Sequence, residues 1–218
     1  MMNRPRIVIV DDHAVVRRGV RTLLESQPDW EVVAEATNGR EAVEVAKRLQ
    51  PDIVVLDLSL PELNGLDATR QILKESPQTQ VLVLTMHHSE DLAHDLLQAG
   101  ARGYVLKSDA DEFLIAAVDS LRQHKPFLSS RVTEFVLDDY LRRAETEQAG
   151  ATHIAVTPRE RELIQLLAEG NTNKEAATAL GISLKTVEAH RANLMRKLRF
   201  RSLSDLIRYA IRNKIVQP

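Results

Sequence analysis

The chain has 218 residues, of which 44% are hydrophobic and 28% are charged, and it contains no cysteine. These proportions are ordinary for a globular protein of one or two domains. The absence of cysteine excludes disulfides, thiolate metal sites and cysteine nucleophiles. No segment approaches the roughly 20 apolar residues that cross a bilayer, so we expect a cytoplasmic protein with no membrane partner.

Charge is distributed unevenly along the chain. Residues 151–218 hold twelve lysines and arginines against six aspartates and glutamates, a net charge of +6, whereas residues 1–150 hold seventeen against twenty-five, a net charge of −8. This asymmetry indicates that only the back half meets a polyanion. An ordinary solvated basic surface is the alternative interpretation.

The first half of the chain alternates strand-like runs with amphipathic helical patterns. Ile53–Leu56 is an unbroken apolar run, which is typical of a strand buried on both faces of a parallel sheet. Five strand–helix units joined by short loops predict an α/β domain with a five-stranded, parallel, doubly wound (flavodoxin-like) sheet. The predicted strands are Arg6–Val10, Glu31–Ala34, Ile53–Leu56, Val81–Thr85 and Gly103–Leu106, with helices near Ala14–Ser26, Gly39–Leu49, Gly65–Lys74, Ser89–Ala99 and Asp111–Arg122.

Polar residues follow the strands at the edge where such sheets bind ligands. Asp11 and Asp12 follow the first strand, Asp57 the third, Thr85 ends the fourth, and Lys107 follows the fifth. Three converging carboxylates require a cation, and Mg²⁺, which Mn²⁺ can replace, suits oxygen ligands better than Zn²⁺ does. A hydroxyl and an ammonium group would complement a phosphoryl group on Asp57. The set predicts an aspartate that accepts phosphate with the help of a metal; the plainer alternative is that Asp57 caps the next turn.

These residues, together with Pro61, Gly65 and the run Gly103-Tyr104-Val105-Leu106, resemble the receiver domain of bacterial two-component response regulators over roughly the first 120 residues. The resemblance implies that a sensor histidine kinase phosphorylates Asp57. It further implies that Mg²⁺ is held by Asp12 and Asp57, by Asp11 through water, and by the backbone carbonyl of Ser59. The remaining implied roles are phosphoryl-oxygen binding by Thr85 and Lys107, and a conformational switch at Tyr104.

Three positions of the receiver motif have a second interpretation or depart from the usual pattern. Tyr104 is equally well explained by simple packing in the core. Met86 is larger than the small residue that usually follows the threonine, and is large enough to crowd the phosphoryl site. Ser108 stands after Lys107 where a proline is frequent.

Asp109 is expected to be the N-cap of the fifth helix, with Glu112 three residues on as in a capping box.

The alternation of strand-like and helical patterns ends at about residue 123. We expect a linker over residues 124–152, with a helical segment at 131–144 and a polar, flexible stretch at 145–151. The predicted domains are therefore 4–123 and 153–218. The second is all-α, with helices from Thr157 to Ala168, from Thr172 or Asn173 to Leu180, from Leu184 to Leu198, and from Leu203 to Asn213. The second and third helices, joined by a turn at Gly181, match a helix-turn-helix motif.

The third of these helices has two faces. Val187, Leu194 and Leu198 recur at helical spacing and should pack inward. The amino-terminal half should enter a major groove through Lys185, Thr186, Glu188, Ala189 and Arg191, and phosphates should be contacted by Arg196, Lys197, Arg199 and Arg201. The alternative is an amphipathic helix with solvated charges.

Four motifs in this half resemble the LuxR-type DNA-binding domain: Thr157–Glu162, Asn173–Ala177, Leu180–Ser183 and Lys185–His190. Joined to a receiver, such a domain is typical of NarL/FixJ-type regulators. The resemblance implies a four-helix domain that binds double-stranded DNA as a homodimer at paired half-sites. The implied DNA-binding set adds Lys174, Ser183 and His190 to the residues above. One departure is Arg199-Phe200-Arg201, where the family commonly has a glycine, so the exit from the recognition helix should differ.

The leading hypothesis is thus a transcription factor controlled by phosphorylation of Asp57, and not an enzyme beyond its own phosphorylation and slow dephosphorylation. A phosphatase of the haloacid-dehalogenase type would need a second aspartate where Ser59 stands. A receiver that works without phosphate remains a third alternative. A nicotinamide enzyme is disfavoured because the first loop, Asp11-Asp12-His13, lacks the glycines that cradle pyrophosphate.

Overall fold

A computed structural model describes residues 4–86, 90–130, 132–134, 156–198, 200, 202–213 and 215–216. These residues form two compact units: the first holds residues 4–61 and 65–134, and the second holds residues 62–64 and those from residue 156 onward. Within the described ranges, no helix has the length and apolarity needed to cross a membrane.

The described part of the first unit contains a parallel sheet. Its strands are β1 (Arg6–Val10), β2 (Glu31–Ala36), β3 (Ile53–Leu56), β4 (Gln80–Thr85), β5 (Gly103–Leu106) and β6 (Phe127–Leu128). They are arranged in the order β2-β1-β3-β4-β5-β6, with every pair parallel. The predicted fold class is confirmed, but the number of strands was wrong by one, because β6 adds to the edge of β5.

Helices connect the strands, as the helical periodicity predicted. They are α1 (Ala14–Glu25), α2 (Gly39–Leu49), α3 (Gly65–Glu75), α4 (Glu90–Gln98) and α5 (Ala110–Arg122). All four residues of β3 are buried, since helices cover both faces of the sheet. On one face, α1 and α5 contribute Val20, Leu24 and Leu114 to a core with Ile53 and Val55.

Asp109 occupies the N-cap position of α5, as predicted, but the expected capping box does not form. Lys107–Asp109 forms a short 3₁₀ turn, and the Asp109 side chain makes no capping hydrogen bond to the helix. Its carboxylate accepts instead from the Ser108 hydroxyl at 2.7 Å. The predicted capping box with Glu112 was therefore wrong, because the Asp109 carboxylate binds Ser108 and the 3₁₀ turn leads directly into the helix.

The sixth strand lies in the segment that the sequence assigned to the linker. Phe127 donates its main-chain N–H to the carbonyl of Arg102 at 2.9 Å, and Ser129 donates to the carbonyl of Tyr104 at 3.2 Å. Residues 132–134 are helical, as predicted. The rest of the predicted linker helix and the polar stretch at 145–151 lie outside the described residues.

The regular secondary structure described in the second unit is all helical. Its helices are α6 (Pro158–Ala168), α7 (Asn173–Leu180), α8 (Leu184–Lys197) and α9 (Leu203–Arg212). Capping boxes begin α6, α7 and α9, and the Ser183 hydroxyl accepts from the Thr186 N–H at the start of α8. Gly181 closes α7 with a φ of +65°, a conformation that glycine adopts without strain. Val187 and Leu194 are fully buried in the core of this unit, as predicted.

Candidate phosphorylation site and DNA-binding surface

Asp57 lies at the carboxyl edge of the sheet, beside Asp11 and Lys107. Both carboxylates are about 3% exposed, and the ammonium nitrogen of Lys107 lies 2.6 Å from Asp11 Oδ2 and 2.9 Å from Asp57 Oδ2. The other oxygen of Asp57 accepts from the N–H of Leu58 at 2.7 Å. Strands β1, β3 and β5 therefore bring together three of the predicted site residues.

The electrostatics of this cluster favour a further positive charge. Burial raises the pKa of the Asp57 carboxyl, although the Lys107 ammonium and the Leu58 N–H oppose this, and the Asp11 carboxylate adds to it. Burial alone would lower the pKa of Lys107, but the two carboxylates outweigh it and raise that pKa. Two carboxylates and one ammonium leave a net negative charge in a buried place, which a bound cation would stabilise.

Asp12 and His13 extend the acidic loop into solvent. The carboxylate and imidazole atoms of Asp11, Asp12 and His13 lie within 4.8 Å of one another, and His13 Nδ1 is 2.7 Å from Asp12 Oδ1. The Asp12 side chain is 36% exposed, so one carboxylate of the group remains open to a hydrated ion. Ser59, whose carbonyl was the fourth predicted ligand, is partly buried two residues after Asp57.

Gly65, the last residue of the motif after Asp57, lies where the structure leaves no room for a side chain. Its N–H donates to the Leu58 carbonyl at 2.9 Å. A Cβ added at this position would lie 2.3 Å from the main-chain carbonyl oxygen of Asp57 and 2.7 Å from Leu58 Cα. The start of α3 can thus approach the main chain of Asp57 and Leu58 closely only without a side chain at this position.

The remaining receiver residues lie on β4 and β5. Thr85 is fully buried at the end of β4, and Tyr104 is 2% exposed on β5. Burial raises the pKa of the Tyr104 hydroxyl, which keeps it neutral. Met86 is 63% exposed, so in this structure most of its side chain faces solvent and the expected crowding is relieved.

The recognition helix α8 presents most of the predicted DNA contacts to solvent. Its amino terminus and one face of the preceding helix are polar and open. The exposed residues are Lys174, Ser183, Lys185, Glu188, Ala189, His190 and Arg196, while Thr186, Arg191 and Lys197 are partly buried. Arg199 and Arg201 lie outside the described residues.

Two of the predicted DNA contacts on α8 have partners on another helix of the second unit. Arg191 Nη1 donates to Asn173 Oδ1 at 3.0 Å, which ties α8 to the first residue of α7. Lys197 Nζ lies 2.7 Å from Glu160 Oε2, which ties the end of α8 to the start of α6. Sequence reasoning missed both contacts, because the partners are far apart in the chain and share no motif.

Two further contacts fix the ends of the helix-turn-helix. The guanidinium of Arg159 donates to the carbonyl of Leu180 at the end of α7 and pairs with Glu162 at 2.8 Å. Phe200, which departs from the glycine of the family pattern, packs its ring on Tyr209 with centroids 5.3 Å apart. The N–H of Phe200 donates to the Met195 carbonyl in α8 at 2.8 Å, so this bond and the ring contact with α9 together hold the helix exit.

Comparison with known proteins identifies both units. The family model described as "Response regulator receiver domain" matches residues 7–119, and the model described as "Bacterial regulatory proteins, luxR family" matches residues 155–210. The chain is a two-component response regulator. The predicted NarL/FixJ-type pairing of a receiver with a LuxR-type DNA-binding domain is thereby confirmed.

Relatives and solved structures resemble this response regulator over most or nearly all of its length. "Oxygen regulatory protein NreC" of Staphylococcus epidermidis is 38% identical over 216 residues, covering 97% of this chain and 99% of that one. The response regulator RcsB of Salmonella typhimurium matches with a TM-score of 0.65 at 26% identity, over 99% of this chain and 100% of that one. A LuxR-family response regulator from Aurantimonas sp. SI85-9A1 matches with a TM-score of 0.61 at 36% identity, over 63% of this chain and 99% of that one.

Proposed function

We propose that Asp57 accepts a phosphoryl group from a sensor histidine kinase and that this modification controls DNA binding by helix α8. The observation that carries the proposal is the buried arrangement of Asp57, Asp11 and Lys107 at the carboxyl edge of the sheet, with Thr85 at the neighbouring strand end. A family model for DNA-binding proteins matches the other unit of the same chain, which gives the modification something to regulate.

The acidic loop fits a magnesium ion. Asp12 and Asp57 would hold it directly with the backbone carbonyl of Ser59, Asp11 would reach it through water, and Mn²⁺ could replace it. These are hard oxygen donors, and the partly exposed Asp12 carboxylate leaves room for the waters that Mg²⁺ retains. The bound ion would supply positive charge to the phosphoryl oxygens during transfer.

The chain's own residues account for the remaining requirements of the transfer. A carboxylate oxygen of Asp57 forms a bond to phosphorus while the bond from phosphorus to the kinase histidine nitrogen breaks, and that nitrogen retains the electron pair. The Lys107 ammonium, already within 3 Å of Asp57 Oδ2, balances the added negative charge on the phosphoryl oxygens. The Thr85 hydroxyl donates to another of these oxygens.

Phosphorylation would act on the DNA-binding unit through a change in the receiver. The proposed switch couples Thr85, at the end of β4, to the ring of Tyr104 on the adjacent strand, where Val83 and Tyr104 are paired in register. The solved structures of RcsB include a DNA complex and two dimers bound to two parallel DNAs. We accordingly propose that this regulator binds paired half-sites as a homodimer and that it acts in the cytoplasm.

The test combines chemistry and binding in the full-length protein. Acetyl phosphate and Mg²⁺ should modify Asp57, as located by mass spectrometry, and should change the affinity for a promoter fragment. Asp57→Ala should abolish both effects, whereas Asp29→Ala, at an exposed aspartate, should abolish neither. Equal affinities in every state would remove Asp57 from the control of DNA binding.

A further inference from the structure

We propose that Arg17 is a positioning residue for the magnesium site, because it holds the peptide group that joins the two acidic residues of the β1–α1 loop. The inference rests on the magnesium site proposed above. Arg17 belongs to none of the motifs that identify the receiver, and it lies on the first turns of α1.

The main chain of Asp11 is fixed on both sides. Its N–H donates to the carbonyl of Ala36 at the end of β2, at 3.2 Å. Its carbonyl oxygen accepts from Arg17 Nη1 at 2.7 Å. This carbonyl belongs to the peptide group between Asp11 and Asp12, so its direction determines how the chain turns between the two carboxylates.

The carboxylate of Asp11 depends on the same geometry. One oxygen accepts from the His13 N–H at 2.8 Å, and the other pairs with Lys107 at 2.6 Å. Rotation of the Asp11–Asp12 peptide would move the His13 N–H and the Asp12 side chain together. Arg17 therefore acts on the direction of two carboxylates without touching either of them.

Arg17 is itself held in place. Its Nε donates to Glu35 Oε2 at 3.1 Å, and its side chain is only 15% exposed. Glu35 is also bound by Arg21 Nε at 2.6 Å. The hydrogen bond from Arg21, with that from Arg17, lowers the pKa of Glu35, so this carboxylate stays charged at neutral pH. The guanidinium thus bridges β2 to the end of β1.

Groups that orient metal ligands, without binding the metal, commonly change metal affinity by about 10- to 100-fold. Loss of the Arg17 hydrogen bond should therefore weaken Mg²⁺ binding by about tenfold. A purely structural role, joining α1 to β2, would instead lower thermal stability and leave the affinity for Mg²⁺ unchanged.

Arg21 provides the matched control. It lies one turn further along α1 and shares Glu35 with Arg17, but within the described part of the chain its side chain pairs with Glu35 and Glu25 and not with the Asp11 carbonyl. Arg21→Ala removes a comparable ion pair from the same carboxylate. The difference between Arg17→Ala and Arg21→Ala isolates the hydrogen bond to the main chain of Asp11.

The experiment is calorimetric titration of the full-length, unphosphorylated wild type and variants with MgCl₂, alongside their melting temperatures. We expect Arg17→Ala to weaken Mg²⁺ binding about tenfold and Arg21→Ala to leave it within about twofold of the wild type, as for a site outside the ligand network. Phosphorylation of Arg17→Ala by acetyl phosphate should recover when Mg²⁺ is saturating, since the residue acts through metal affinity alone.

Equal Mg²⁺ affinities of Arg17→Ala and Arg21→Ala would overturn the inference. If Arg17→Ala does not fold, Arg17→Lys carries the test: a lysine can pair with Glu35 but cannot reproduce the two-pronged contact, and wild-type affinity in this variant would also overturn it. Failure of the wild type to bind Mg²⁺ would refute the metal site itself, and is distinguishable because it precedes any comparison between variants.

Discussion

Replacing Lys197 with methionine should lower the free energy of unfolding of the DNA-binding unit and should have little effect on its contacts with DNA phosphates. The Lys197 ammonium lies 2.7 Å from Glu160 Oε2, and the two side chains are 33% and 16% exposed. The same carboxylate oxygen accepts from the Thr157 N–H in the capping box of α6. Burial alone would raise the pKa of Glu160, but the Lys197 and Thr157 contacts outweigh it and lower that pKa. The charged pair is therefore intact at neutral pH.

The expected cost is modest, because the pair is partly solvated. Exposed ion pairs contribute about 0.2–1 kcal/mol, and a cation in the last turn of a helix adds about 0.3–1 kcal/mol. We expect Lys197→Met to lower the free energy of unfolding of this unit by about 1 kcal/mol. For a domain of this size, such a change lowers the melting temperature by about 4–8 °C.

Two measurements separate stability from DNA contact. Far-UV circular dichroism follows both units, whereas fluorescence of the single tryptophan, Trp30, reports only the receiver and should not change. In DNA binding, each lost phosphate contact reduces the slope of log K against log salt by about 0.9. Arg196→Met, at an exposed neighbour in the same helical turn, should lose about this much. Lys197→Met should reduce the salt slope by less than half of this amount, about 0.4 or below.

Glu160→Gln completes the comparison, since it removes the pair but retains the lysine. It should produce the same loss of stability and no gain in DNA affinity. An unchanged melting temperature in Lys197→Met, together with a salt slope reduced as much as in Arg196→Met, would refute the structural role of the lysine. A gain in DNA affinity in Glu160→Gln would refute it as well, because the lysine would then have been withheld from phosphate.

The remaining predictions concern the receiver. Gly65→Ala should lower the free energy of unfolding of the receiver by about 1–3 kcal/mol and slow phosphorylation of Asp57, because the new Cβ would displace the main chain carrying that residue. Denaturant unfolding measures the first effect, and the rate of phosphorylation by acetyl phosphate measures the second. Gly19→Ala, in α1 with no atom near the new Cβ, should instead stabilise the receiver by about 0.5–1 kcal/mol, and any loss would contradict the helix argument. Glu35 has a lowered pKa, caused first by its hydrogen bond from Arg21, so its stabilising contribution is present above its ordinary value of 4.5 and is lost as pH falls through the folded pKa. Glu35→Gln should reduce the loss of unfolding free energy at acid pH, measured by fluorescence-monitored unfolding. An unchanged dependence of stability on pH would contradict this role of Glu35.

Where a signal was local, the sequence was sufficient to predict the structure. The apolar run Ile53–Leu56 predicted a strand buried on both faces, and β3 has these bounds and is fully buried. Helix α6 ends at Ala168, as predicted, and begins at Pro158 with Thr157 as its N-cap. Because parallel strand ends meet at one edge, the approach of Asp11, Asp57 and Lys107 followed from their positions alone.

Other features left no recognisable signal in the sequence, either because the partners are distant in the chain or because the element is too short or depends on main-chain geometry. The sequence predicted that Lys197 contacts a DNA phosphate, because no neighbouring residue indicated its ion pair with Glu160, 37 residues away. The Arg17–Asp11 contact involves a backbone carbonyl, which leaves no trace in residue type. Strand β6 has two residues, too few for any periodicity to appear. Asp109 holds the predicted N-cap position, but it is the last residue of a 3₁₀ turn and its carboxylate binds Ser108 and makes no capping bond to the helix.

Strand β6 also determines where the receiver can be cut for separate study. The family match ends at residue 119, and the helical pattern of α5 suggests a boundary near residue 123. A fragment ending at either point would lose the N–H groups of Phe127 and Ser129 that the carbonyls of Arg102 and Tyr104 accept. It would present the outer side of β5 as an unpaired edge, the kind of surface through which sheets join those of neighbouring molecules. Self-association of such a fragment would then report the missing strand and not the native assembly of the protein.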